Sequence, residues 1–134
     1  MEPFRGRKKI LFACRDNACL SQMAGAFAQI LAGDKLDVFS AGSQPAEKLN
    51  ALMVETMQEK GIDMGFRLAE SINTVLSVEK PELVISMGRD DTAVVPDDIS
   101  QEFWNFTEPE DLDGMRRLRD AIEAKVSEFV KIMA

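Results

Sequence analysis

The 134-residue chain contains no histidine and no tyrosine. Without histidine it lacks the side chain that most often serves as a general base near neutral pH, so no Cys-His or Ser-His pair can form. It has two cysteines, Cys14 and Cys19, close together in one short stretch. A small secreted disulfide scaffold would carry more, spread along the chain. Two thiols without histidine are also a poor zinc set, and neither a metal nor an organic cofactor is expected. Long apolar runs are missing as well. The basic cluster Arg5, Arg7, Lys8 and Lys9 precedes only Ile10 to Cys14. That stretch is shorter than a secretory leader requires and far short of the roughly twenty residues of a membrane span. The cluster reads as a solvated lead-in to a strand, and a cytoplasmic protein without membrane contact is expected. The net charge of −7 excludes a broad nucleic-acid footprint. It also repels anionic partners at long range, so an anion site here must work through local donors.

What is present is concentrated in Lys9 to Ala24. An apolar run, Ile10 to Ala13, ends on Cys14; a short polar loop follows; an amphipathic pattern then begins at Ser21. A thiol at the end of a strand and at the mouth of a helix sits where unsatisfied backbone N–H groups collect. Those donors can hold an anion and stabilise a thiolate, so nucleophile and oxyanion would meet at one point.

The remaining pattern alternates strand and helix. Ile10–Ala13, Leu36–Ala41, Leu83–Met87 and a short Phe103–Phe106 segment read as strands. Ser21–Leu31, closed by Gly33, reads as a helix, and so does Leu49–Lys60, closed by Gly61. A shorter helix is expected over Ala69–Leu76 and a long one over Asp111–Ile132, with Met115, Leu118, Ile122, Val126, Phe129 and Val130 as its stripe. The order predicts one α/β domain over residues 1–134, a three-layer sandwich with a mostly parallel sheet. Ligands in such sheets bind beyond the carboxyl ends of the strands, where Cys14, Gly42, Gly88 and Phe106 fall. Met53, Met57, Met64 and Met87 read as core packing rather than an adaptable binding surface.

The run Cys14-x-x-Asn17-x-Cys19-x-Ser21-Gln22-Met23-Ala24 resembles the signature loop of the low-molecular-weight protein tyrosine phosphatases. It is closest to their relatives, the thiol-dependent arsenate reductases. Ser40-Ala41-Gly42, Pro45-Ala46, Leu49-Asn50, Gly61-Ile62-Asp63, Leu83 to Met87 and Trp104-x-Phe106-x-x-Pro109 fit the same family in order. The resemblance implies a four-stranded parallel sheet in the order 2-1-3-4. It implies a loop, Cys14 to Ser21 (Arg15, Asp16, Asn17, Ala18, Cys19 and Leu20 between them), that wraps an oxyanion with Cys14 as nucleophile. Asn17 would brace that loop. Ser21 would cap the helix and donate to the thiolate, and Ser40 would either support the loop or face solvent. The family's proton donor is an aspartate before a proline; Glu108 before Pro109 holds that place, as a donor one methylene longer or as a solvated turn acid.

Departures from the family pattern cluster at the chemistry. Leu20 stands where these loops carry an arginine, and a leucine cannot supply the bidentate, charge-assisted grip on the anion. Arg15 and Arg89 are the candidates to replace that guanidinium, or else are surface charges. Gly88, and Val94 and Val95 before Pro96, fall where reductases coupled to thioredoxin keep further cysteines. Cys19 is the remaining candidate for a resolving thiol against an oxidised Cys14. Gly25 replaces a glutamate found in part of the family, at a loop-stabilising cation site. The expected function is that of an arsenate reductase or phosphatase-like protein, acting on arsenate, phosphate, sulfate or a phosphoryl group. A thiol reductant is the expected partner, the protein is expected to be monomeric, and Leu20 is expected to weaken activity. The alternative is an inactive homologue that binds oxyanions or senses redox state.

Overall fold

The computed structural model describes residues 7–88, 95–96 and 98–133. Eight elements run in the order β1 (Lys8–Cys14), α1 (Leu20–Ala32), β2 (Leu36–Gly42), α2 (Ala51–Glu59), α3 (Ile72–Val78), β3 (Leu83–Met87), β4 (Ser100–Trp104) and α4 (Leu112–Met133). All strand pairs are parallel and the sheet order is β2-β1-β3-β4. This is the three-layer α/β architecture and strand order that the sequence resemblance implied.

The central strand explains the layering. Along β1, Ile10, Phe12 and Cys14 join the larger core with α1, α2 and α4, while Leu11 and Ala13 join a smaller one under α3. Successive side chains on a strand point to opposite faces, so a strand covered on both sides must be apolar throughout. On the larger face, α1 is buried continuously from Leu20 to Ala28. Ala24, Gly25, Ala26 and Ala28 let it lie close between the sheet and α4. Phe12, Trp104 and Phe129 meet edge to face, with ring centroids 5.6–6.2 Å apart, joining β1, β4 and α4. Met53, Met57, Met64 and Met87 are all buried, as packing required.

Most boundaries shift by a residue or two, and the two largest shifts have identifiable reasons. The fourth strand lies at Ser100–Trp104, not Phe103–Phe106, because pairing to β3 starts at Leu83 opposite Ser100. Its Ser-Gln-Glu start is exposed on the sheet edge and carries no apolar alternation to reveal it. The third helix begins at Ile72, later than the expected Ala69. Glu70 and Ser71 are used otherwise: the Glu70 carbonyl accepts from Gly42 N–H at 2.8 Å, and Ser71 bridges Gly42 in parallel. Gly33 closes α1 with an ordinary φ of −64°, whereas Gly61 takes φ 75° after α2. Among the described residues, no helix is long and apolar enough to cross a membrane.

Candidate active site

The loop between β1 and α1 is held from outside by its carbonyls. Gln44 N–H donates to Arg15 O at 2.7 Å, Ala46 N–H to Asp16 O at 2.9 Å, and Asn50 N–H to Ala18 O at 2.9 Å. Those carbonyls are turned toward the 42–50 segment, and the Asn17 and Ser21 N–H groups act on the Cys14 sulfur to favour its thiolate. Gly42 is required at the crossing. A Cβ there would lie 2.6 Å from Arg15 O and 2.9 Å from Asn17 N, distances only a glycine permits.

Asn17 is the keystone of the loop. Its φ of 50° is left-handed, a conformation asparagine tolerates better than most residues. It is fully buried. Its Oδ1 accepts from Glu70 N–H at 2.8 Å and from Gln22 Nε2 at 3.1 Å, and its Nδ2 donates to Ser21 Oγ at 2.7 Å. Ser21 Oγ lies 2.9 Å from Cys14 Sγ. Ser21 does not cap the helix as expected. It lies inside α1, the cap position belongs to Cys19, and no side chain caps that end. Its hydroxyl is committed to Asn17 and Cys14 instead.

The sulfur is buried, with 4% of its residue surface exposed. Burial pushes the Cys14 thiol above the usual thiol range; the Ser21 hydroxyl and the Ser21 and Asn17 N–H groups pull it down, and the Asp16 carboxylate adds to the rise. Asp16 Oδ1 accepts from Cys14 Sγ at 3.8 Å and from Ala18 N–H at 3.4 Å. Cys19 is buried deeper and donates to Met115 Sδ at 3.7 Å. Burial first, then the Glu108 carboxylate beside it, hold the Cys19 thiol far above its ordinary range. Both thiols are free.

The other expected residues are placed as follows. Arg15 is exposed, and Arg89 lies outside the described residues, as does Val94. Leu20 is the first residue of α1 and belongs to the larger core, where its Cδ1 would sit 3.3 Å from a Cβ on Gly88. Glu108 is exposed and accepts from Asn50 Nδ2 at 3.3 Å, which ties it to the loop through Asn50 N–H and Ala18 O. Ser40 lies beside Gly25 and Arg67 rather than in the loop. Among the described residues, no group of three His, Cys, Asp or Glu side chains could hold a metal ion.

Three participants were given no role from the sequence. Asn50 caps α2, accepting from Met53 N–H at 3.0 Å, while holding Glu108 and the loop. Gln22 donates to Asn17 O and Oδ1 and to Leu68 O at 3.0–3.1 Å. Arg67 Nε in turn donates to Gln22 Oε1 at 2.8 Å. Asn50 and Gln22 sit in the matched motifs, so their spacing could have raised them; nothing local marks Arg67.

This geometry agrees with comparison to known proteins. An arsenate reductase of Staphylococcus epidermidis is 33% identical over 128 residues, which cover 92% of this chain and 96% of that protein. A solved structure described as an arsenate reductase in the phosphate binding state superimposes with a TM-score of 0.82 at 26% identity, covering 95% of this chain and 99% of that one. A thioredoxin-dependent arsenate reductase of Corynebacterium glutamicum matches with a TM-score of 0.78 at 25% identity, over 95% of this chain and 62% of that longer one. The sequence model of the low molecular weight phosphotyrosine protein phosphatases matches residues 9–134, nearly the whole chain. A strand-to-helix thiol loop on a 2-1-3-4 parallel sheet, matched over this length, places the chain in the low molecular weight phosphotyrosine protein phosphatase family.

Proposed function

We propose that the protein binds a tetrahedral oxyanion, arsenate or phosphate, in the loop from Cys14 to Ser21 and acts on arsenate through the Cys14 sulfur as a slow reductase. One observation carries this reading: Cys14 Sγ lies 2.9 Å from Ser21 Oγ, at the end of β1 and the mouth of α1. The relatives named arsenate reductase, alike over nearly the full chain, support arsenate over a phosphoprotein.

In this reading the Cys14 thiolate attacks arsenic, forming an S–As bond. An arsenate oxygen leaves as water with a proton from Glu108, the acid that Asn50 ties to the loop. A second thiol then attacks Cys14 Sγ. The S–As bond breaks, its electron pair stays on arsenic, arsenite departs and a disulfide remains, so the two thiols together supply two electrons. Cys19 is badly suited to be that second thiol, because burial and Glu108 keep it protonated. An external low-molecular-weight or protein thiol fills the role.

Leu20 sets the rate. Removing one preorganised oxyanion donor lowers turnover by about 10²–10³, and the missing arginine would have provided two donors and a charge. A second reading is favoured by the same residue together with the raised Cys14 thiol: the chain binds oxyanions without turnover. Isothermal titration with arsenate and phosphate, and arsenite production with a dithiol reductant, separate the two. Slow production abolished by Cys14→Ser supports the reductase; millimolar binding without production supports the second reading. Absence of both, in a folded protein, refutes oxyanion function.

A further inference from the structure

The hydrogen bonds leading away from Cys14 form one chain, and its far end is a group that can only donate. Arg67 Nε donates to Gln22 Oε1 at 2.8 Å. That contact leaves the Gln22 amide nitrogen to face Asn17, where it donates to Oδ1 at 3.1 Å and to the backbone O at 3.0 Å. Asn17 Oδ1 also accepts from Glu70 N–H, so Asn17 Nδ2 must donate to Ser21 Oγ. A serine oxygen that accepts from Asn17 has its own hydrogen free to point at Cys14 Sγ, 2.9 Å away. Reversing Gln22 would set its oxygen against Asn17 Oδ1 and its NH2 against the guanidinium. The order of donors along the chain is therefore set jointly by the guanidinium at its end, by the Asn17 and Leu68 carbonyls that accept from Gln22 Nε2, and by the Glu70 N–H that donates to Asn17.

Room has been made for that end. A Cβ on Gly25 would lie 3.2 Å from Arg67 Nη2 and 3.4 Å from Ser40 Cβ, so the guanidinium fills space beside α1 that a larger residue would contest. Arg67 is half-buried between exposed Phe66 and Leu68. Burial lowers its pKa, yet a guanidinium starts so high that it stays charged at neutral pH.

We propose that Arg67 is a positioning residue for the reacting thiol: through Gln22, Asn17 and Ser21 it orients the hydroxyl that donates to the Cys14 thiolate. This rests on the reading above only in taking Cys14 as the reacting sulfur. The titratable groups bearing on that sulfur are Asp16, whose carboxylate opposes ionisation, and Cys19 in the same loop. Neither is touched by a change at Arg67.

The test is the rate of Cys14 alkylation by iodoacetamide in the full chain, read by peptide mass spectrometry from about pH 6 to 10. Arg67→Met should move the midpoint upward and slow alkylation at pH 7 about three- to tenfold, with the high-pH plateau unchanged. Arg67→Lys, which keeps a donor-only nitrogen, should restore most of that loss. Ser21→Ala should slow alkylation at least as much, and adding Arg67→Met to it should change nothing further, because Arg67 acts through Ser21. A merely loosened fold gives the opposite sign, since exposing a buried sulfur speeds alkylation. If Arg67→Met does not fold, Arg67→Leu, which also has no donor for Gln22, carries the same comparison. An unmoved midpoint in a folded Met or Leu variant, or additive losses in the double variant, overturns the proposal. No oxyanion is used, so a chain inactive on arsenate still passes or fails on its own.

Discussion

Restoring an arginine at position 20 is the sharpest perturbation available. Leu20 is 7% exposed and packs in the larger core beside Gly88. Removing it costs at most the 2–5 kcal/mol or so of a buried Leu→Ala change. An arginine stem recovers part of that contact, leaving a loss of about 1–2 kcal/mol, well inside the 5–15 kcal/mol or so that holds a domain together. The variant should therefore fold. In return the loop gains a planar donor pair and a fixed charge. Each oxyanion donor is worth about 10²–10³ in rate. A nearby cation also lowers an acidic group's pKa by about one to three units, which raises the thiolate fraction of Cys14 at neutral pH at least about tenfold. Leu20→Arg should thus raise kcat/KM for arsenate reduction, or for p-nitrophenyl phosphate hydrolysis, by about 10² or more. Leu20→Lys, with charge but no fork, should recover less, and Leu20→Met nothing. Rates for a folded Leu20→Arg protein within threefold or so of the parent would show that the missing guanidinium does not limit this site.

Other expectations follow from the same contacts. Asn17→Ala leaves Glu70 N–H and Gln22 Nε2 without their acceptor and puts an alanine at φ 50°, so urea unfolding should show a loss of about 2–4 kcal/mol. Both thiols have raised folded-state pKa values, so their contribution to stability is fully present below the unfolded thiol value of about 8.5 and is lost as pH rises beyond it. The unfolding free energy should then fall by up to about 2.7 kcal/mol per pH unit for two retained protons, and Cys19→Ala should halve that slope; a slope unaffected by Cys19→Ala would show that the buried thiols are not its cause. Asn50→Ala should lower stability by about 0.5–2 kcal/mol through the lost cap of α2. Asn50→Asp should keep the cap but repel Glu108, so that only catalytic rate falls; thermal melts and turnover measured together separate the two effects.

The sequence by itself determined the sheet and the thiol loop. Ile10 to Ala13 is apolar without alternation because both faces of β1 are covered, and such a strand implies helices on each side. Cys14, Asn17 and Ser21 were legible because a thiol at a helix mouth needs a fixed set of local donors, and local needs leave local spacing. Phe103 misled the placement of β4, since an exposed edge strand has no buried face to impose a period. Tertiary structure alone decided the rest. Gln22 and the backbone of Glu70 reach Asn17 from 5 and 53 residues away, and Arg67 reaches Gln22 from 45. Asn50 and Glu108 meet across 58. Hydrogen bonds between distant segments impose no periodicity on either, and a half-buried arginine reads in the chain like any solvated one. Only folding, by removing water from around it, gives that guanidinium Gln22 as a partner and a direction.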